Sequence, residues 1–202
     1  KGHLMTGFGG ALKNIGMGCA SREGKLAQHS DISPYVIEKN CTACAACIEA
    51  CPSSAISLKN NKSAIDSRLC IGCASCIAAC GFEAIDVRWE AGGGLIQEKM
   101  AEYAKAVLEG KQGKTFFINF AIKITKECDC LAKDDPRIAP DVGILASCDP
   151  VALDKASLDL VLERSKKDVF SQAHPERDAN KQLHHAATLG VGNLDYTLCT
   201  IS

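Results

Sequence analysis

The chain has 202 residues, of which 47% are hydrophobic and 23% charged, a balance ordinary for a globular protein. Its 23 Lys and Arg against 24 Asp and Glu leave a net charge of −1, which speaks against a nucleic-acid or anionic-membrane surface. No run approaches the roughly 18 consecutive apolar residues of a spanning helix, and an odd count of thirteen cysteines does not make a simple disulfide framework.

The chain opens Lys1-Gly2-His3, with neither an initiator Met nor a signal peptide, and is expected to be a fragment. Residues 1–30 are rich in Gly and Lys. Gly7, Gly9 and Gly10 precede a short helical stretch carrying Lys13. N–H groups exposed at a helix start can hold an anion. Yet no strand precedes these glycines, and their spacing fits neither a P-loop nor a dinucleotide fingerprint. Close backbone packing is the favoured reading.

Residues 31–90 hold an internal repeat. Cys41, Cys44, Cys47 and Cys51 recur 29 residues later as Cys70, Cys73, Cys76 and Cys80. The same offset carries Ala55-Ile56 onto Ala84-Ile85 and Val36 onto Ile65. A constant offset over cysteines and apolar positions means one supersecondary unit used twice. Each half reads C-x2-C-x2-C-x3-C, followed by Pro52 in the first and Gly81 in the second. Iron clusters need soft, anionic thiolates, and C-x2-C steps let a short loop wrap three corners of a cubane. The fourth cysteine reaches the other cluster in this arrangement. The expected ligands are therefore Cys41, Cys44, Cys47 and Cys80 for one 4Fe–4S cluster, and Cys70, Cys73, Cys76 and Cys51 for a second. Zinc is the competing metal, because C-x2-C pairs also build zinc sites. Ala45, Ala46, Ile48, Ile71, Ala74 and Ile77 are expected to shield the clusters. Free thiolates point to a reducing compartment, and the cytoplasm is the expected location.

Residues 91–202 return to mixed patterning. Leu95, Ile96, Met100, Tyr103, Val107 and Leu108 recur at helical steps, stopped by Gly110. Thr115 to Ile124 reads as a buried strand and Val142 to Leu145 as another. Asp149-Pro150 is an N-cap with Pro at the first helical position, opening a helix to about Ser165 that buries Val151, Leu153, Leu160 and Val161. A further helix is expected from Pro175 to Gly190 and a last strand from Leu194 to Leu198. Strands alternating with helices imply a sheet with helices packed on it. The expected organisation is an α/β domain made of residues 1–30 and 91–202, with residues 31–90 inserted. Cys128 and Cys130 form a C-x-C pair that, with His3, His29, Asp129 or Cys19, could make a further metal site; buried thiols acting as small apolar residues are the simpler alternative. Cys148 and Cys199 read as packing residues at strand ends. His184-His185 read as cations at a helix end.

Residues 33–88 resemble the two-cluster bacterial ferredoxins, an α+β fold, departing from them at Gly81. The flanking stretches resemble a family of iron–sulfur-centre proteins known as domain-of-unknown-function family 362. They include Gly2-His3-Leu4-Met5-Thr6-Gly7-Phe8-Gly9-Gly10, Phe117-Ile118-Asn119-Phe120, Cys128-Asp129-Cys130 and Asp141 to Asp154. The resemblance implies an α/β domain, here the C-terminal portion of a longer family domain, with the ferredoxin repeat inside it. The expected function is one-electron transfer through two 4Fe–4S clusters, to or from the α/β domain or a redox partner protein. The alternative is an oxidoreductase whose α/β domain binds a substrate or second cofactor near Lys13, Cys128 and Cys130.

Overall fold

The computed structural model describes residues 1–29, 34–87, 95–128 and 135–201. In chain order these form β1 (Gly2–His3), β2 (Gly7–Phe8), α1 (Ala11–Lys13) running into a π-helical turn at Asn14–Gly18, α2 (Arg22–His29) and β3 (Tyr35–Val36). Then come α3 (Ala46–Glu49), β4 (Ile56–Lys59), β5 (Lys62–Ile65), α4 (Ser75–Ala79), β6 (Ile85–Asp86) and α5 (Ile96–Leu108). The chain continues with β7 (Phe117–Ala121), β8 (Gly143–Ser147), α6 (Pro150–Ser165), α7 (Val169–Ala173) and α8 (Lys181–Thr188). Among the described residues every sheet is a two-stranded antiparallel pair: β1 with β2, β3 with β6, β4 with β5, and β7 with β8.

Two compact units result, one made of Lys1–Cys19 with Gln97–Ser202, the other of Ala20–Ile96. The boundaries lie outside residues 30 and 90, because α2 packs against α4 and so belongs with the cysteine-rich unit. Ser21 starts α2: its hydroxyl accepts from Gly24 N at 3.1 Å, a capping contact that satisfies an otherwise orphaned donor.

In the first unit, α6 carries the packing. Asp149 caps it through hydrogen bonds from Val151 N and Ala152 N, with Pro150 at the first turn, as the sequence implied. Val151, Leu153, Leu158 and Val161 are buried along it, whereas Leu160 is only half-buried. The β1–β2 hairpin is closed by His3, whose Nδ1 accepts from Met5 N and Thr6 N at 3.2 Å each. Gln97 and Gln182 both donate to Thr6 O, and Phe8 packs on Phe170 at 5.8 Å between ring centroids.

Three expectations need correction here. The 115–124 stretch is not a buried strand: β7 alternates, so Phe117, Asn119 and Ala121 face α6 while Ile118 and Phe120 stay 51% and 63% exposed. The last helix begins at Lys181, not Pro175. His174 to Asn180 forms turns instead, with Arg177 N donating to His174 O and Asn180 N to the Asp178 carboxylate. No strand forms over 194–198; Tyr196 donates its hydroxyl to Asp159 on α6, and Asn193 N donates to Asp149.

The second unit repeats itself in three dimensions. Val36 pairs with Ile85 and Ile65 with Ile56, which the 29-residue offset interchanges. The flanking hydrogen bonds obey it too: Ile37 N donates to Ala84 O and Asp66 N to Ala55 O, both at 2.8 Å. The core is equally paired, with Cys47 and Cys76, and Ile56 and Ile85, buried at its centre.

Candidate metal centre

Each cysteine loop is wrapped by residues with positive φ at matching places. Ala43 (60°) and Ala45 (64°) punctuate the first loop, Gly72 (69°) and Ala74 (63°) the second. Ser54 and Glu83, both at 51°, follow the fourth cysteine of each half. An L-residue in this region costs about 1–2 kcal/mol, so the loops are held curled by their surroundings. A short helix then carries the third cysteine, α3 with Cys47 in one half and α4 with Cys76 in the other, and delivers Cys51 and Cys80 just past its end.

Backbone donors point at the sulfurs. Ala55 N donates to Cys51 Sγ and Ala84 N to Cys80 Sγ, each at 3.3 Å and 29 residues apart. Ser63 N donates to Cys41 Sγ at 3.4 Å, and its hydroxyl lies 3.2 Å from Cys47 Sγ. These donors favour the anionic form of sulfur. For Cys41 the N–H groups of Ser63 and Ala43 draw the thiol below its ordinary value. For Cys51 burial pushes upward, but donors from Ala55 and Ser53 outweigh it and the net shift is downward. Cys76 behaves oppositely: burial, with the neighbouring Cys70, pushes its thiol up to about 12. A thiol so hard to ionise in an apolar pocket releases its proton to solvent readily only when a cation binds the sulfur.

The two expected sets are each brought together. Cys41, Cys44, Cys47 and Cys80 line one small cavity, closed by Phe82 and Ile85. Cys51, Cys70 and Cys73 are the cysteines whose charge bears on Cys76. Val36, Ile48, Ile65 and Ile77 pack around both sets. Ile71 does not shield as expected, because its side chain is 68% exposed. Among the described residues, no three or more His, Cys, Asp or Glu side chains form a group suited to a single metal ion. A mononuclear zinc site gathers its donors within about 2.3 Å of one point, whereas a four-iron cluster offers each thiolate its own corner. Eight thiols in two sets, N–H donors and an apolar surround fit the donor chemistry of two such clusters.

Ser63 was not singled out by the sequence, since its strand position carries no motif. Asp154 was also missed. It is fully buried on α6, and its carboxylate accepts from Ala11 N (2.6 Å), Leu12 N (2.8 Å) and Asn119 Nδ2 (2.7 Å). The helix start behind Gly9 and Gly10 therefore already holds an anion, supplied by the chain itself. A Cβ on Gly10 would lie 2.2 Å from Asp154 Oδ1, which accounts for the glycine. Burial pushes the Asp154 carboxyl up, and its donors offset this only in part.

Lys13 Nζ donates to Cys128 Sγ at 2.8 Å, and Cys128 is disulfide-bonded. Asp129 and Cys130 lie outside the described residues. Cys19, Cys148 and Cys199 are exposed, so the last two are not packing residues. His185 Nε2 lies 3.4 Å from Glu102 Oε1.

Residues 1–159 match the family described as Domain of unknown function (DUF362), and the chain belongs to that family. No match is found among curated proteins. Among the described residues no helix is long and apolar enough to cross a membrane.

Proposed function

We propose that the protein is an iron–sulfur electron carrier whose Ala20–Ile96 unit is a two-cluster bacterial-ferredoxin-like module within an α/β domain. The observation that carries this reading is the exchange of fourth cysteines: Cys80 lines the cavity of Cys41, Cys44 and Cys47, while Cys51 bears on Cys76 with Cys70 and Cys73. Bound at these two sets, 4Fe–4S clusters supply one-electron redox chemistry. The residues hold and tune that chemistry. Ala55, Ala84 and Ser63 donate N–H groups to ligand sulfurs, and Val36, Ile48, Ile65 and Ile77 limit water. A redox partner protein and a reducing, cytoplasmic setting belong to this reading.

The test is iron and sulfide analysis with EPR on anaerobically purified protein. About eight irons per chain are expected, from four per cluster. Cys80→Ser is expected to remove the signal of the Cys41, Cys44 and Cys47 site and keep the other. Retention of full iron in Cys44→Ser and Cys73→Ser alike would sink the proposal.

A second reading makes the first unit a redox enzyme served by the clusters. It draws on a cavity of about 560 Å³ lined by Lys105, Lys111, Phe117, Cys148 and Val191, within the size range of small-molecule sites. A bound organic cofactor or an additional metal in the purified protein is what it predicts.

A further inference from the structure

The repeat is symmetric in its ligands and not in their surroundings. Cys44 is exposed, while Cys73, 29 residues later, is half-buried. Ala45 is half-buried, while Ala74 is 1% exposed. Glu49 is exposed, while Ala78 is half-buried. On that side α2 packs on α4, and its Glu23 accepts the Ser75 hydroxyl. A second asymmetry concerns hydrogen bonds to sulfur. Ser63 gives Cys41 an N–H at 3.4 Å and sets its hydroxyl 3.2 Å from Cys47 Sγ. The residue 29 positions earlier is Pro34, which has no N–H to give.

Reduction adds negative charge to an iron–sulfur site, and both solvent and N–H or O–H donors stabilise that charge, raising the potential. The second half has hydroxyl neighbours of its own, Ser75 Oγ at 3.3 Å from Cys73 Sγ and Ser53 Oγ at 3.7 Å from Cys51 Sγ, so exposure is what separates the two halves.

We propose that the two halves are functionally inequivalent: Cys41, Cys44, Cys47 and Cys80 form the outward, higher-potential site, through which electrons are exchanged with an external one-electron partner. By the same reasoning the half-buried Cys73 and buried Ala74 beside α2 make Cys70, Cys73, Cys76 and Cys51 the inner, lower-potential site. This rests on the two-cluster reading above.

The experiment is an EPR-monitored redox titration of the full-length holoprotein, with and without a dysprosium chelate in solution, on wild type and Ser63→Ala. Two separate midpoints are expected. The chelate speeds relaxation of the higher-midpoint signal more than the lower, and Ser63→Ala moves the higher midpoint down and leaves the lower in place. A single shared midpoint, stronger relaxation of the lower-midpoint signal, or a shift of the lower midpoint in Ser63→Ala overturns the proposal. The chelate measurement needs no variant, so it decides even if Ser63→Ala misfolds. Iron far below about eight per chain in wild type instead fails the two-cluster reading itself.

Discussion

Removing the Asp154 carboxylate with Asp154→Ala tests whether the Gly-rich start of the chain is held by an internal anion. The carboxylate takes three donors at 2.6, 2.8 and 2.7 Å. Asn119 keeps a partner after its loss, because its Nδ2 also reaches Ser157 Oγ at 3.0 Å. Ala11 N and Leu12 N have no such alternative nearby: Ala11 is 6% exposed and Leu12 is fully buried. A buried donor left unsatisfied costs about 1–3 kcal/mol, so two give about 2–6 kcal/mol. Relief of the desolvated carboxylate offsets part of this, consistent with burial being the dominant influence on its pKa. The expected net loss is about 2–4 kcal/mol, read as a lower urea midpoint by far-ultraviolet circular dichroism. Asp154→Asn is expected to be little better, since all three neighbours donate and an amide brings a further donor against them. A change below about 0.5 kcal/mol, or a gain in stability, would refute the assignment of Asp154 as the cap of α1.

Two further outcomes follow from the geometry. The Arg68 side chain and its N–H hold Asp66 at about 2, below the ordinary value near 3.9. A depressed folded value stabilises fully above about pH 4 and is lost as pH falls through about 2; Arg68→Ala should return the Asp66 midpoint toward 3.9 in a carboxyl NMR titration, and an unmoved midpoint counts against the pairing. A Cβ on Gly16 would lie 2.2 Å from Met100 O, whereas one on Gly81 meets nothing within 4 Å. Gly16→Ala should therefore destabilise by about 1–3 kcal/mol and Gly81→Ala by less than about 0.5 kcal/mol; equal urea midpoints would contradict the packing at Gly16.

What the sequence could express was local or periodic. The 29-residue offset returned as paired strands, as matching left-handed residues and as matching N–H···S contacts, because short loops of the same cysteine spacing fold under the same local constraints. The Asp149-Pro150 cap was legible for the same reason: its donors lie two and three residues away. The Asp154 contacts span 143 and 142 residues, and no local pattern announces them. The helix α2 was missed because its mean hydropathy is low and its identity rests on Ser21 as a cap. Pro175 misled because proline suits a first helical turn and also a tight turn, and here it occupies the latter.

The strand β7 makes the limit physical. Its apolar residues fall on both faces, the composition of a strand covered on two sides. Here Asn119 and Ala121 meet α6 and the α1 region, while Phe116, Ile118 and Phe120, with Ile144 across the pair, remain more than half exposed. Each of these large side chains forgoes roughly 25 cal/mol for every Å² of apolar surface left in water. Strand composition therefore reports how many faces gain by being covered; which face is covered is decided by distant partners such as Asp154 and Ser157, which bind Asn119 and fix the orientation of the strand. The cysteine repeat escapes this ambiguity because its partner set is internal: each half places three cysteines in its own set and the fourth in the other, so the repeat carries both partners of every contact.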